Sequence, residues 1–235
     1  MKLFSNFTLK IMAIIFMAMD HIYTYMNGAL NNQVPIWFGY LGKLAAPIFF
    51  YLIVEGFYHT RSKSKYIQRL FSMAVLMIGV DIVFKIPNNI FLSLGFAVCM
   101  LSMIEYAKSS TDKFSILNWK ILLAILFGIA GFFTEASLYG VGMVLIFYLL
   151  REKKVCMVLA YIVFSLLGLV TMIGPDFIDA AFLWDYQWMM VFAIIPILMY
   201  NGKLGISNKF IKWMFYWFYP VHLIVIVSLA KIISM

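Results

Sequence analysis

The sequence predicts an all-α protein, a polytopic bundle of transmembrane helices, on three observations. The chain is 65% hydrophobic and only 12% charged, with a mean hydropathy of +0.96, whereas soluble domains carry about 25% charged residues. Its apolar residues fall into nine runs of roughly bilayer-crossing length, separated by polar breaks. Its basic residues concentrate in alternate breaks, the pattern of a chain that weaves through a membrane. A single transmembrane domain over residues 1–235 is expected, with no soluble module. The net charge of +8 does not indicate nucleic-acid binding, because the basic residues sit at helix ends on one side.

The runs, in order, cover residues 8–27, 37–58, 66–85, 89–107, 117–133, 136–150, 154–173, 183–200 and 210–233. Lys2 and Lys10 precede the first as they would in a signal peptide. No small-x-small cleavage site follows and Asp20-His21 interrupts the run, so an uncleaved first span is expected. The fifth and sixth runs are short and meet at Thr134-Glu135, as a tight hairpin of tilted helices or a partly re-entrant pair. Charge orients the whole. With a cytoplasmic N-terminus, the inner side holds Lys2, Lys10, Arg61, Lys63, Lys65, Arg69, Lys108, Lys113, Lys120, Arg151, Lys153, Lys154, Lys203, Lys209 and Lys212. Only Lys43, Lys85 and Lys231 fall outside or in the outer half, so the C-terminus is expected outside. Trp37, Tyr40, Trp184, Tyr186, Trp188, Trp213 and Trp217 lie near the ends of runs, as an interfacial belt would. Cys99 and Cys156 fall inside apolar runs, and no disulfide is expected.

Ionisable residues inside such runs mark candidate sites, since a charge at the bilayer centre costs about 2.5–3.5 kcal/mol or more. The first is Met19-Asp20-His21-Ile22. Counted from Thr8 at a rise of about 1.5 Å per residue, His21 lies roughly two-thirds across a core about 30 Å thick. Lys43, on the next run back, comes to a similar depth. An Asp20–Lys43 pair would neutralise charge, and an Asp20–His21 hydrogen bond would orient the ring and raise its basicity. A polar clamp between two helices is the structural alternative. Glu55 and His59 share a helix face and run into Arg61, Lys63, Lys65 and Arg69, which read either as a phosphate-gripping mouth or as an ordinary positive-inside loop. Asp81 and Glu105 lie near the ends of their runs, as interface residues would. Asn201, Gly202 and Lys203 add to that mouth or cap the eighth run. In the last run, Tyr219-Pro220-Val221-His222 places an imidazole at mid-membrane beside a proline that frees the Tyr216 carbonyl and kinks the helix. No serine-nucleophile motif, HExxH spacing or Walker-type loop occurs, and no metal is expected.

These stretches resemble the TraX family of bacterial inner-membrane proteins, named for a protein that N-acetylates conjugative pilin. The likeness lies in Met19-Asp20-His21-Ile22, Leu41-Gly42-Lys43-Leu44-Ala45-Ala46-Pro47, Glu55-Gly56-Phe57-Tyr58-His59-Thr60-Arg61, Tyr66-Ile67-Gln68-Arg69-Leu70, Tyr200-Asn201-Gly202-Lys203 and Phe218-Tyr219-Pro220-Val221-His222. It spans nearly the whole chain in order. Lys43 stands where the family pattern suggests Arg, which removes a bidentate contact, and Leu138 stands where an Asp would precede Tyr139-Gly140.

The resemblance implies a transfer of acetyl from cytoplasmic acetyl-CoA to an amine or hydroxyl of a pilin, peptide, glycan or lipid acceptor. His21 is then the general base, oriented by Asp20, while Lys43 and His222 stabilise the oxyanion or position the acceptor. Glu55, His59, Arg61, Lys65, Arg69, Asn201, Lys203 and Tyr219 form the expected acetyl-CoA set, with the arginines and lysines on the phosphates. The rival reading is a small secondary transporter that uses Asp20, His21 and His222 as a proton relay. The lack of an internal repeat and the basic inner mouth disfavour it.

Overall fold

In a computed structural model, residues 2–109 and 119–234 are described; Lys113 and the first two residues of the fifth run lie outside them. Among the described residues the chain is helical, and the only backbone bridge, Phe4 with Tyr200, is isolated. The helices are α1 (Asn6–Met26), α2 (Trp37–Gly42), α3 (Ala45–His59), α4 (Lys63–Phe84), α5 (Ile90–Lys108), α6 (Trp119–Phe132), α7 (Ser137–Leu149), α8 (Lys154–Val170), α9 (Phe177–Asp179), α10 (Ile194–Leu198) and α11 (Lys209–Ile233). A π segment, Ala180–Trp184, and a 3-10 segment, Gln187–Ala193, lie between α9 and α10.

Side-chain caps fix several starts. Ser5, Ser62, Asn89 and Asn208 each accept a hydrogen bond from a backbone N–H of the turn that follows, which satisfies donors that the helix leaves orphaned. Lys85 ends α4 in the left-handed region, with φ 59°.

Five helical segments are long and apolar enough to cross a membrane: Asn6–Met26, Trp37–His59, Lys63–Phe84, Ile90–Lys108 and Lys209–Ile233. A sixth arises if Phe177–Trp184 and Gln187–Leu198, bent by 66° against each other, are one span. The other three apolar helices, α6, α7 and α8, have 14, 13 and 17 residues. At about 1.5 Å per residue, α6 and α7 reach only about 20 Å. Each of the nine apolar runs thus becomes helix, but five or six of them, rather than nine, have the length of a full span.

Two runs also break internally. Pro47 has no N–H to return to the Lys43 carbonyl, and the second run splits at Lys43-Leu44 into α2 and α3. The eighth run changes from π to 3-10 geometry at Asp185-Tyr186.

The chain divides into two compact units. The first holds residues 1–52 and 150–235. Here α1 packs against α2 and α11, and the 3-10 segment packs against α8 and α2. Leu9, Ala13, Ile48, Tyr161, Met190 and Leu223 are fully or almost fully buried. Backbone bonds clamp the N-terminal segment to the stretch after α10: Phe4 N–H to Met199 O, Asn201 N–H to Phe4 O, and Asn6 N–H to Lys203 O, at 2.8–2.9 Å.

The second unit holds residues 53–149, with α5 packed against α4, α6 and α7. Polar bonds supply its apolar packing with register. Asn89 Nδ2 donates to Ala74 O at 3.0 Å, and Ser93 Oγ bonds Thr134 Oγ1 at 2.8 Å while accepting from Ala136 N–H. The first ties the start of α5 to α4, and the Ser93 bonds hold the turn of the α6–α7 hairpin onto α5. Glu105 and Lys108, one turn apart on α5, both bond the Tyr148 hydroxyl of α7.

Candidate functional site: a paired imidazole beside an ion pair

The site lies in the first unit, where α1 meets α2 on one side and α11 on another. Successive residues of a helix point about 100° apart, so Asp20 and His21 address different neighbours.

Asp20 faces α2. Lys43 Nζ donates to Asp20 Oδ1 at 3.0 Å, with both side chains about one-quarter exposed. Two glycines, three residues apart on α2, make room for this approach. A Cβ at Gly42 would stand 2.4 Å from Asp20 Cβ and 2.8 Å from its Cα, and one at Gly39 would stand 2.6 Å from the Tyr186 hydroxyl. The Tyr186 ring lies 5.5 Å from Lys43 Nζ, within cation–π range, and packs on Tyr40 and Tyr23. Tyr40 donates in turn to Phe182 O at 2.7 Å. The broken eighth run is therefore what delivers Tyr186 to the ion pair.

His21 faces α11. It is 4% exposed, and its Nδ1 lies 2.6 Å from His222 Nε2. The two rings are within 17° of parallel, with centroids 4.9 Å apart. That separation is the N···N distance plus the two ring radii, so the rings lie edge to edge along one line rather than face to face. His222 Nδ1 lies 2.7 Å from Phe218 O. Tyr219, 2% exposed, sets its ring edge against both imidazoles at 5.9 and 5.7 Å, and Tyr25 lies 6.1 Å from His21. Helix α11 continues through Pro220 in one piece. Farther along the same contact, Phe215 packs on Phe7 and takes Lys10 over its ring.

Of the two pairings expected at Asp20, the one with Lys43 is present, whereas His21 pairs with His222 in place of Asp20. Tyr219 stands against the imidazoles rather than among basic residues, because it is one turn before His222 on the same face of α11. Asn201 Oδ1 accepts from Lys203 N–H at 2.8 Å, which shapes the turn at Gly202 (φ 76°), and Lys203 is exposed.

The rest of the basic set lies in the second unit. Glu55 is buried and lies 3.7 Å from His59 across one helical turn. Arg61 and Lys65 are exposed. Arg69 places its guanidinium 5.7 Å from the Tyr66 ring, and its Nε is buried with no hydrogen-bond partner among the described residues. Among the described residues no three His, Cys, Asp or Glu side chains are grouped as a metal site would need.

Sequence reasoning did not assign Gly39, Gly42, Tyr23 or Tyr186 to the site. Gly39 and Gly42, three apart, share one helix face and leave it without side chains, a sign that the sequence shows but does not assign to a partner. Tyr186 carries no such sign, since an interfacial belt explains it equally well.

The family model described as TraX protein matches residues 5–230. The chain is similar to the probable fimbrial assembly protein FimC, serogroup H1, of Dichelobacter nodosus, with 25% identity over 237 residues that cover 96% of this chain and 95% of that protein. No solved structure matches. With the family model covering nearly the whole chain, including Asp20, His21, Lys43 and His222, this protein belongs to the TraX family.

Proposed function

We propose that the chain is an acetyl-CoA-dependent acyltransferase of the bacterial inner membrane. It passes acetyl from the cytoplasmic thioester to an amine or hydroxyl of an envelope acceptor, with a pilin the foremost candidate. We further read nine crossings, with the N-terminus cytoplasmic and the C-terminus outside. Membership of the TraX family and a relative named for fimbrial assembly support an envelope acceptor.

The observation that carries the chemistry is the pairing of buried His21 with half-buried His222 on helices long and apolar enough to cross a membrane. Imidazoles are costly filler at that depth, and a neutral imidazole is a competent base for acyl transfer. The acceptor's nitrogen or oxygen attacks the thioester carbonyl as its proton passes to His21. The carbon–sulfur bond then breaks, and the CoA thiolate leaves with that proton. Lys43 has three donors, of which Asp20 takes one, so its ammonium is available to the carbonyl oxygen as charge develops there. Arg61, Lys65 and Arg69 of the second unit serve the phosphates, supported by Glu55 and His59 of the same unit, and Asn201 and Lys203 are the first unit's own candidates for an anion. The buried, unpartnered Arg69 Nε is a donor that a phosphate oxygen would satisfy.

The test uses the full chain in lipid nanodiscs with acetyl-labelled acetyl-CoA. Thermal stabilisation by acetyl-CoA and label transfer to a pilin N-terminal peptide are expected. No stabilisation and no hydrolysis or transfer of the label would reject the enzyme and return the proton-relay transporter.

A further inference from the structure

We propose that His222 is a positioning residue that fixes the tautomer of His21. The inference rests on the acyltransferase reading for its consequence, but not for its test. A carbonyl oxygen only accepts, so the 2.7 Å contact to Phe218 O requires the proton of neutral His222 on Nδ1. Its Nε2 then carries the lone pair. The collinear 2.6 Å contact is thereby a bond from His21 Nδ1–H to His222 Nε2. Neutral His21 is left with its lone pair on Nε2, the form that takes a proton from an acceptor. The backbone carbonyls of Phe218 and Tyr219 at His222 therefore set the direction of a two-ring chain, and a tautomer-setting role usually given to a carboxylate falls to a neutral ring.

The arrangement suits its place. A carboxylate at His222 would be a second charge in the membrane, whereas the ion pair of Asp20 and Lys43 is already neutral overall. When His21 Nε2 gains the acceptor's proton, the Nδ1 proton is shared along the short bond with His222 Nε2. The positive charge spreads over two rings, while His222 Nδ1–H stays on Phe218 O. When the thiolate leaves, the proton returns through His21 Nε2, and both rings recover their starting forms.

The test is 15N NMR of histidine-labelled full-length protein in nanodiscs. The chain has only three histidines, and exposed His59 is assigned by difference from a His59→Gln spectrum, while transfer and stabilisation are measured with His59 in place. Expected for wild type is a protonated Nδ1 and a bare Nε2 on His21, with a protonated Nδ1 and a bare Nε2 on His222. His222→Gln places an amide group near the position of the His Nε2, so its oxygen can accept from His21. That variant should keep the His21 tautomer and hold transfer within about tenfold of wild type. His222→Asn reaches Phe218 O but not His21. It should lose the single tautomer and lower transfer by about 10²-fold or more, the scale of general-base help, with acetyl-CoA stabilisation unchanged. A wild-type His21 protonated on Nε2 and unprotonated on Nδ1, a doubly protonated His222, or, in a protein that does transfer acetyl, equal activity in the Gln and Asn variants would overturn the proposal. The predicted tautomers in a protein that transfers no acetyl would instead uphold the pairing and reject the acyltransferase reading.

Discussion

At the scale of residues, the site separates a charge problem from a proton problem. Asp20 and Lys43 neutralise each other at 3.0 Å, while His21 is held by a second imidazole at 2.6 Å. The two pairs predict different phenotypes. His21→Ala should cut transfer by about 10²–10⁴ while insertion and acetyl-CoA stabilisation persist, read in nanodiscs with labelled acetyl-CoA. Asp20→Asn leaves Lys43 without its counter-charge, at about 2.5–3.5 kcal/mol on insertion scales, and should lower the melting temperature and the amount of protein in the membrane. Adding Lys43→Met to Asp20→Asn should restore both without restoring activity. A double variant no more stable than Asp20→Asn alone would show that the pair is not what Asp20 contributes. The depth count on consecutive helices foreshadowed Asp20 with Lys43, because helical rise is fixed by backbone geometry. His21 with His222 did not follow from such a count. They are 201 residues apart, and which helix packs on α1 is decided by tertiary contacts.

At the scale of elements, close approach depends on what is missing. Pro47 removes one N–H, and the second run breaks beside Lys43. Gly42 removes one Cβ, and α2 settles against the backbone of Asp20. Gly42→Ala would put its Cβ 2.4–2.8 Å from Asp20 Cβ and Cα, which only a shift of α1 against α2 can relieve. The variant should lose about 1–3 kcal/mol, the range for overpacked cores, seen as a lower melting temperature in nanodiscs. Gly28→Ala, with nothing within 4 Å of its Cβ, is the matched control. Equal stability of the two variants would mean that α1 and α2 are not seated as described. The helical runs themselves were readable from hydropathy, since backbone in lipid must satisfy its own hydrogen bonds. The π and 3-10 geometry around Tyr186 was not, since no Pro or Gly marks that break and its aromatic residues fit a belt as well as a site. A separate expectation belongs to the start of α4. Arg69→Ala should weaken acetyl-CoA stabilisation at low salt by about tenfold or more, as loss of a charge-assisted bond worth about 1.5–3 kcal/mol would, and added salt should shrink the difference. Unchanged affinity at low salt would place the phosphates elsewhere.

At the scale of the whole molecule, the open quantity is the number of crossings, and its parity can be read at the C-terminus. Five segments are long and apolar enough to cross. The short helices α6 and α7 form a hairpin, so together they add either two crossings or none and leave parity unchanged. Parity therefore rests on α8 and on the bent pair Phe177–Trp184 and Gln187–Leu198. At 17 residues, α8 reaches about 26 Å, close to a core of about 30 Å that local thinning can meet. Charge agrees with a crossing there: Arg151, Lys153 and Lys154 precede α8, while the stretch after it holds Asp176 and Asp179 with no basic residue. Lys203, Lys209 and Lys212 then follow the bent pair, which argues that it crosses back. Reporters that are active only in the cytoplasm are expected to be active when inserted at Glu152 and at Gly205, and silent at Gly174 and after Met235. Silent reporters at both Gly174 and Gly205 together with an active one at the C-terminus would make the bent pair a re-entrant loop with eight crossings at most. Tyr186 would then reach Lys43 from a segment that enters and leaves on the same face, and the nine-crossing topology would be lost while the pairing of His21 with His222 remained.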